Sequence, residues 1–154
     1  MGLYAAGTTS FFNPYKFSVY RTTAFSSSGY ALMSMDTKLF DTGNNYNTSS
    51  GLFTAPVSGF YYFHGFAGII SLAGGNAIGA GIYIVSSIGG GPRNDYQIQL
   101  VQGATGGFGA AANASGLYQL NAGDNAGFMI YTSNSNTSSG ITNNGFNGFL
   151  LSLT

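Results

Sequence analysis

His64 is the chain's one histidine, and apart from tyrosine hydroxyls the other ionisable side chains are four acids and four bases in 154 residues. The acids are Asp36, Asp41, Asp95 and Asp124, with no glutamate, and the bases are Lys16, Arg21, Lys38 and Arg93. With no cysteine, thiolate catalysis, a structural disulfide and a cysteine zinc site are excluded. A histidine acting as general base needs a hydrogen-bonded partner, and His64, between Phe63 and Gly65, has none beside it in sequence. It reads instead as an inward or interface histidine satisfied by a backbone or hydroxyl group. Asp41-Thr42-Gly43-Asn44-Asn45 gathers side-chain oxygens of the kind calcium takes. It lacks the alternating acids and closing glutamate of a calcium loop, and Asx-turn chemistry accounts for it without a metal. The glycines from Gly75 to Gly81 and at Gly89-Gly90-Gly91 are in neither phosphate-loop order. No catalytic residue, metal or cofactor is expected, and the chain does not read as an enzyme.

Charged residues make up 5% of the chain and the formal net charge is zero, against roughly a quarter charged in an average soluble domain. Nucleic acid is not an expected partner, because phosphate neutralisation needs clustered Lys and Arg. Anionic lipid is disfavoured on the same ground. The uncharged run at 60–85 is interrupted by His64, Ser71, Gly74, Gly75 and Asn76 and reads as two strands and a turn, not as a spanning helix. Met1-Gly2-Leu3-Tyr4-Ala5-Ala6-Gly7 has neither the basic region nor the apolar run of a secretory leader. With so little charge to keep copies apart, much of the surface is expected to meet other protein.

The elements that must position these residues are strands. Segments between turn signals are short and rich in β-branched and aromatic residues, and no helical period is sustained. Strands are expected at 15–21, 30–35, 38–40, 52–54, 59–70, 77–88, 96–102, 108–120, 126–132 and 146–153, with the segment at 59–70 pairing with that at 77–88 across a turn at 72–76. Residues 133–144 read as a polar loop. Residues 1–14 read as an arm outside a head domain at 15–154.

Residues 51–63 carry the most information. Gly51-Leu52-Phe53-Thr54-Ala55-Pro56 is a short strand stopped by a proline that has no N–H for a ladder, and Gly59 frees the backbone to begin another. In the second arm alternate residues face opposite ways. Phe60, Tyr62 and His64 share one face; Tyr61, Phe63 and Gly65 share the other. Aromatic rings on both faces require two apolar environments, one from the domain's own core and one from a neighbouring subunit.

This stretch resembles the complement component 1q globular heads, a branch of the tumour-necrosis-factor-like jelly rolls. Phe17-Ser18-Val19-Tyr20-Arg21 is similar to that family's opening strand. Lys38-Leu39-Phe40-Asp41 with Asn44-Asn45-Tyr46-Asn47 resembles the segment before the corner. Leu120-Asn121-Ala122-Gly123-Asp124 resembles the hairpin before the penultimate strand, and Phe146-Asn147-Gly148-Phe149-Leu150-Leu151 the closing strand. The resemblance implies an all-β, ten-stranded jelly-roll sandwich that packs as a homotrimer around aromatic and aliphatic residues. Phe60, Tyr61, Tyr62, Phe63, His64 and Phe149 are then expected in the core or trimer interface, and Leu3, Tyr4, Phe11 and Phe12 in an assembly contact made by the arm. The charged ligands of the animal heads do not carry over to so neutral a chain. A neutral, glycine-rich version resembles the small heads and decoration subunits of bacterial viruses. The expected role is therefore structural, a cement subunit on a viral capsid protein and located on the virion. The other reading is a trimeric recognition head for receptor or glycan, extracellular or at the cell surface.

Overall fold

The computed structural model describes residues 15–72, 75–88, 99–102, 108–133 and 141–154. Within them eleven strands form two sheets and no helix. In chain order they are β1 (Lys16–Tyr20), β2 (Gly29–Leu32), β3 (Thr37–Asp41), β4 (Tyr46–Asn47), β5 (Leu52–Thr54), β6 (Gly59–Leu72), β7 (Ala77–Val85), β8 (Gln99–Gln102), β9 (Phe108–Leu120), β10 (Asn125–Thr132) and β11 (Ile141–Leu153). The first sheet runs β3-β1-β11-β6-β9; the second runs β4-β5-β10-β7-β8, with β2 also paired to β10. All pairings are antiparallel. This is the expected jelly-roll sandwich, with the two-residue β4 as an additional short strand. No helix among the described residues is long and apolar enough to cross a membrane.

The corner at 55–58 passes the chain from the second sheet, in β5, to the first, in β6. Pro56 ends pairing at the place where the strand must leave its sheet. The Ala55 N–H donates to the Asp124 carbonyl and the Gly123 N–H donates to the Ala55 carbonyl, both at 2.8 Å, which ties the corner to the β9–β10 turn. The Tyr61 hydroxyl closes it from below by donating to the Val57 carbonyl at 2.7 Å.

Two expectations are corrected. β7 does not pair with β6: β6 lies between β11 and β9, and β7 between β10 and β8 in the other sheet. Glycine and asparagine mark where a chain turns, but not which sheet it returns to, and the left-handed Gly75 (φ 81°) serves a crossover here. Nor are residues 141–144 loop; they open β11. Polar side chains do not bar this, because Asn144, paired with Ala67 within β11, holds both backbone groups of Arg21, accepting from its N–H and donating to its carbonyl.

The core lies between the sheets and is largely aromatic. Phe17, Tyr61, Phe63 and Phe146 face inward from the first sheet, and Tyr46, Phe53 and Phe128 face them. Phe17 bridges the layers, with its ring 4.9 Å from Phe53 and 5.1 Å from Phe146. Such pairs add about 0.5–1.5 kcal/mol each beyond their buried area. The rings fit because small residues stand opposite them. A Cβ on Gly65 would meet the Phe128 ring at 2.1 Å, and one on Gly148 would meet Phe63 at 2.4 Å.

Gly65→Ala is therefore expected to overpack the sandwich and destabilise it by about 1–3 kcal/mol, read as a lower urea midpoint at unchanged m-value. An unchanged midpoint would contradict the packing described.

Candidate assembly face

β6 divides its residues as its alternation requires. Tyr61, Phe63, Gly65, Ala67 and Ile69 are buried, while Phe60, Tyr62, His64 and Phe66 point outward and remain half-buried or exposed. The outward residues belong to rows that cross the first sheet. Tyr62 lies between Leu117 of β9 and Phe149 of β11, its ring 5.6 Å from that of Phe149. These three side chains are 36%, 54% and 39% exposed for Tyr62, Leu117 and Phe149. Lys16 stands beyond Phe149 at the rim. In the next row His64 lies between Ser115 and Asn147, followed by Ser18 and Phe40; the Ser18 hydroxyl donates to the Asn147 side-chain oxygen. The third row sets Phe66 between Asn113 and Gly145. Its ring lies where a Cβ on Gly145 would come within 2.6 Å, and it stacks on His64 at 5.9 Å. Leu39, Leu151 and Leu153, also exposed, lie at the edge and end of the same sheet.

The six residues expected in core or interface thus divide between the two sides of the first sheet. Tyr61 and Phe63 are core; Phe60, Tyr62, His64 and Phe149 are on the outer face. Among the described residues no second apolar layer covers Tyr62, and its ring is exposed. Sequence reasoning missed Leu117 and Phe40 as members of this face. For Leu117 the signal was the alternation in 108–120, muted by the run of alanines. Leu3, Tyr4, Phe11 and Phe12, and the boundary of the arm at residue 14, lie outside the described residues.

The described carboxylates are turned inward on the chain. Asp36 accepts from the N–H and hydroxyl of both Thr22 and Thr23 and from the Thr37 hydroxyl. Asp41 accepts from Lys38 at 2.7 Å and from the N–H groups of Asn45 and Tyr46. Asp124 accepts from the Ser86 hydroxyl and from the N–H groups of Ser87 and Asn121. For each, burial by itself would raise the pKa, but the donated bonds outweigh it and hold the carboxyl below its usual range. The Arg21 guanidinium donates to the carbonyls of Thr23, Ala24 and Ser34 and lies over the Phe25 ring. These charges brace loops. No group of three or more His, Cys, Asp or Glu that could hold a metal occurs among the described residues.

The C1q domain family model matches residues 16–151. The chain belongs to the C1q domain family. By sequence, no curated protein matches it. By structure, this C1q domain is similar to the globular domain of the zebrafish complement 1qA protein, with TM-score 0.71 and 18% identity over 91% of this chain and 99% of that one. It is also similar to Eiger TNF from S. frugiperda, with TM-score 0.69 and 9% identity over 93% and 96% of the two chains. Murine APRIL matches with TM-score 0.64 and 10% identity over 89% and 98%. At such identities the likeness is one of fold.

Because the folded-state pKa values of Asp36, Asp41 and Asp124 are depressed, their contribution to stability is fully present above about pH 4, the unfolded carboxylate range, and is lost as pH falls through the folded values. Thermal midpoints should hold from pH 7 to about 5 and fall below about 4. Asp124→Asn should cost about 1–3 kcal/mol at pH 7 and flatten that acid slope. A variant as stable as the parent at pH 7 would contradict the role of the clasp.

Proposed function

We propose that this C1q domain works as a homotrimer whose subunits bury the outer face of the first sheet against one another, and that its role is non-enzymatic. The observation that carries the reading is the row Leu117–Tyr62–Phe149. These are apolar side chains on a sheet whose other side is already filled by its own core, and among the described residues no layer covers them. A contiguous apolar patch rimmed by polar residues is the signature of an assembly surface, and burying aromatic anchors at its centre supplies most of the association energy. The surface chemistry supports a protein partner, because the described acids are consumed by the chain's own loops and leave little charge for a polyanion or a charged ligand.

Within that class we assign the protein to decoration of a viral capsid, as a cement subunit on the virion, with the arm bearing Leu3, Tyr4, Phe11 and Phe12 as its capsid contact. Neutrality and glycine richness support this role. One observation favours the second reading, an extracellular or cell-surface recognition head. On the opposite sheet the Tyr30 ring stands exposed, 4.9 Å from that of Tyr131, as a stacking surface for a glycan would. Removing residues 1–14 separates the two. A cement subunit loses particle binding and keeps its trimer, whereas a recognition head keeps its ligand unless Tyr30 is replaced.

The trimer itself is tested by mass. Sedimentation at neutral pH should give three times the 15.9 kDa chain. Leu117→Asp, an exposed position in the single subunit, should leave the fold intact by circular dichroism and weaken association by about thirtyfold or more per interface. A parent protein that sediments as a monomer would overturn the reading.

A further inference from the structure

β11 outruns its neighbour at the end of the first sheet. β1 pairs with it from Phe146 to Phe149, and the Leu150 N–H donates to the Tyr15 carbonyl at 2.9 Å. Beyond that bond β6 still pairs with Ser152 and Leu153 on one side. On the side of β1, no strand among the described residues accompanies 151–153. Leu151 and Leu153 are 59% and 67% exposed there. A strand end with an open edge and two uncovered leucines is a surface that folded proteins cover.

We propose that residues 11–14 of the same chain cover it, continuing β1 alongside the end of β11 and seating a ring of the Phe11-Phe12 pair on Leu153. The arm enters the described structure through Tyr15, which already stands in register with Leu150. Carried back from there without a change of direction, residues 14, 13 and 12 run beside 151–153. The segment is tethered at the edge of its own seat. That gives it an effective concentration on the order of millimolar or more, which a free partner does not match.

Pro14 does not obstruct this path. In a strand the backbone groups of successive residues point to opposite sides. The Tyr15 carbonyl faces β11, whereas the Lys16 carbonyl faces β3 and accepts from the Thr42 N–H at 3.1 Å. The same alternation turns the missing N–H of Pro14 away from β11. A proline there leaves pairing with β11 intact and bars a further strand from adding on the open side. The rings follow the same rule. Adjacent side chains take opposite faces, so whichever way the irregularity between Leu150 and Ser152 is absorbed, one of Phe11 and Phe12 falls on the side of Leu153. The other, with Leu3 and Tyr4, is left for a partner. The seat fixes where the arm starts, and it requires neither the trimer nor the capsid.

With no native cysteine, a cross-link tests this directly. Cα atoms of residues paired across antiparallel strands lie about 4.5–5.5 Å apart, within the span of a disulfide. Asn13→Cys is combined in the full chain with Ser152→Cys and, separately, with Leu153→Cys, and mild oxidation is followed by mass and by a gel without reductant. The expected result is a disulfide closed within one chain for at least one of the two pairs. Asn13→Cys with Leu39→Cys, an exposed position on β3, should stay open. Links formed only between chains would put a neighbour's arm in the seat and overturn the proposal. No link at all, or equal closure with Leu39→Cys, also overturns it. A link within one chain forms in monomer and trimer alike, so its failure is distinct from failure of the trimer, which sedimentation reads. Should the cysteine variants not fold, amide exchange decides. The Ser152 and Leu153 amides of the parent should exchange slower, by about tenfold or more, than those of a chain carrying Phe11→Ser and Phe12→Ser; equal rates overturn the proposal.

Discussion

Along β6 the pleat sends successive side chains to opposite sides of one sheet, and this strand carries large rings on both. Every further property of the molecule follows from that constraint. The inward set, Tyr61 and Phe63, meets Phe53 and Phe17 across and along the sandwich, so the core closes around them. The outward set, Phe60, Tyr62, His64 and Phe66, has no layer over it among the described residues. Moving the strand one residue in register would exchange the two sets, and the tight fit of Gly65 beneath Phe128 opposes it, because a larger side chain there would meet that ring. The packing that stabilises the subunit therefore also determines which side chains it presents outward.

Scarce charge is used in a complementary way. Asp124 fastens the β9–β10 turn to residues 86 and 87, Asp36 gathers the threonines after β1, Asp41 and Lys38 brace the turn after β3, and Arg21 holds the loop that follows it. The three aspartates and Arg21 satisfy backbone groups that loops would otherwise leave without partners. A jelly roll needs long excursions between its sheets, and here a few ionised groups order them. Apart from Lys16, what the described residues leave for the surface is largely hydroxyl, amide, glycine and ring.

Much of this was legible from residue order. Pro56 and Gly59 marked the corner, and the alternation from Phe60 to Gly65 assigned each ring to its side before any coordinates. The family landmarks, which lie within the matched span, carried the architecture. Sheet membership was not legible. The turn at 75–76 has the composition of a hairpin, yet β6 and β7 lie in opposite sheets, because local backbone freedom encodes reversal and only the core chooses the partner. Leu117 escaped notice because what makes it part of the face is its register against Tyr62, a relation between segments 55 positions apart. The same is true of the row through His64, whose members come from separate strands.

The account depends on a sister subunit covering the outer face of the first sheet, and a structure of the protein in its assembled state tests this most directly. The predicted result is a three-fold assembly in which Tyr62, Phe149 and Leu117 lose nearly all of the exposure they show in the single chain. An assembly of any symmetry in which that row remains in solvent, with contacts made through the other sheet or the loops, would contradict it.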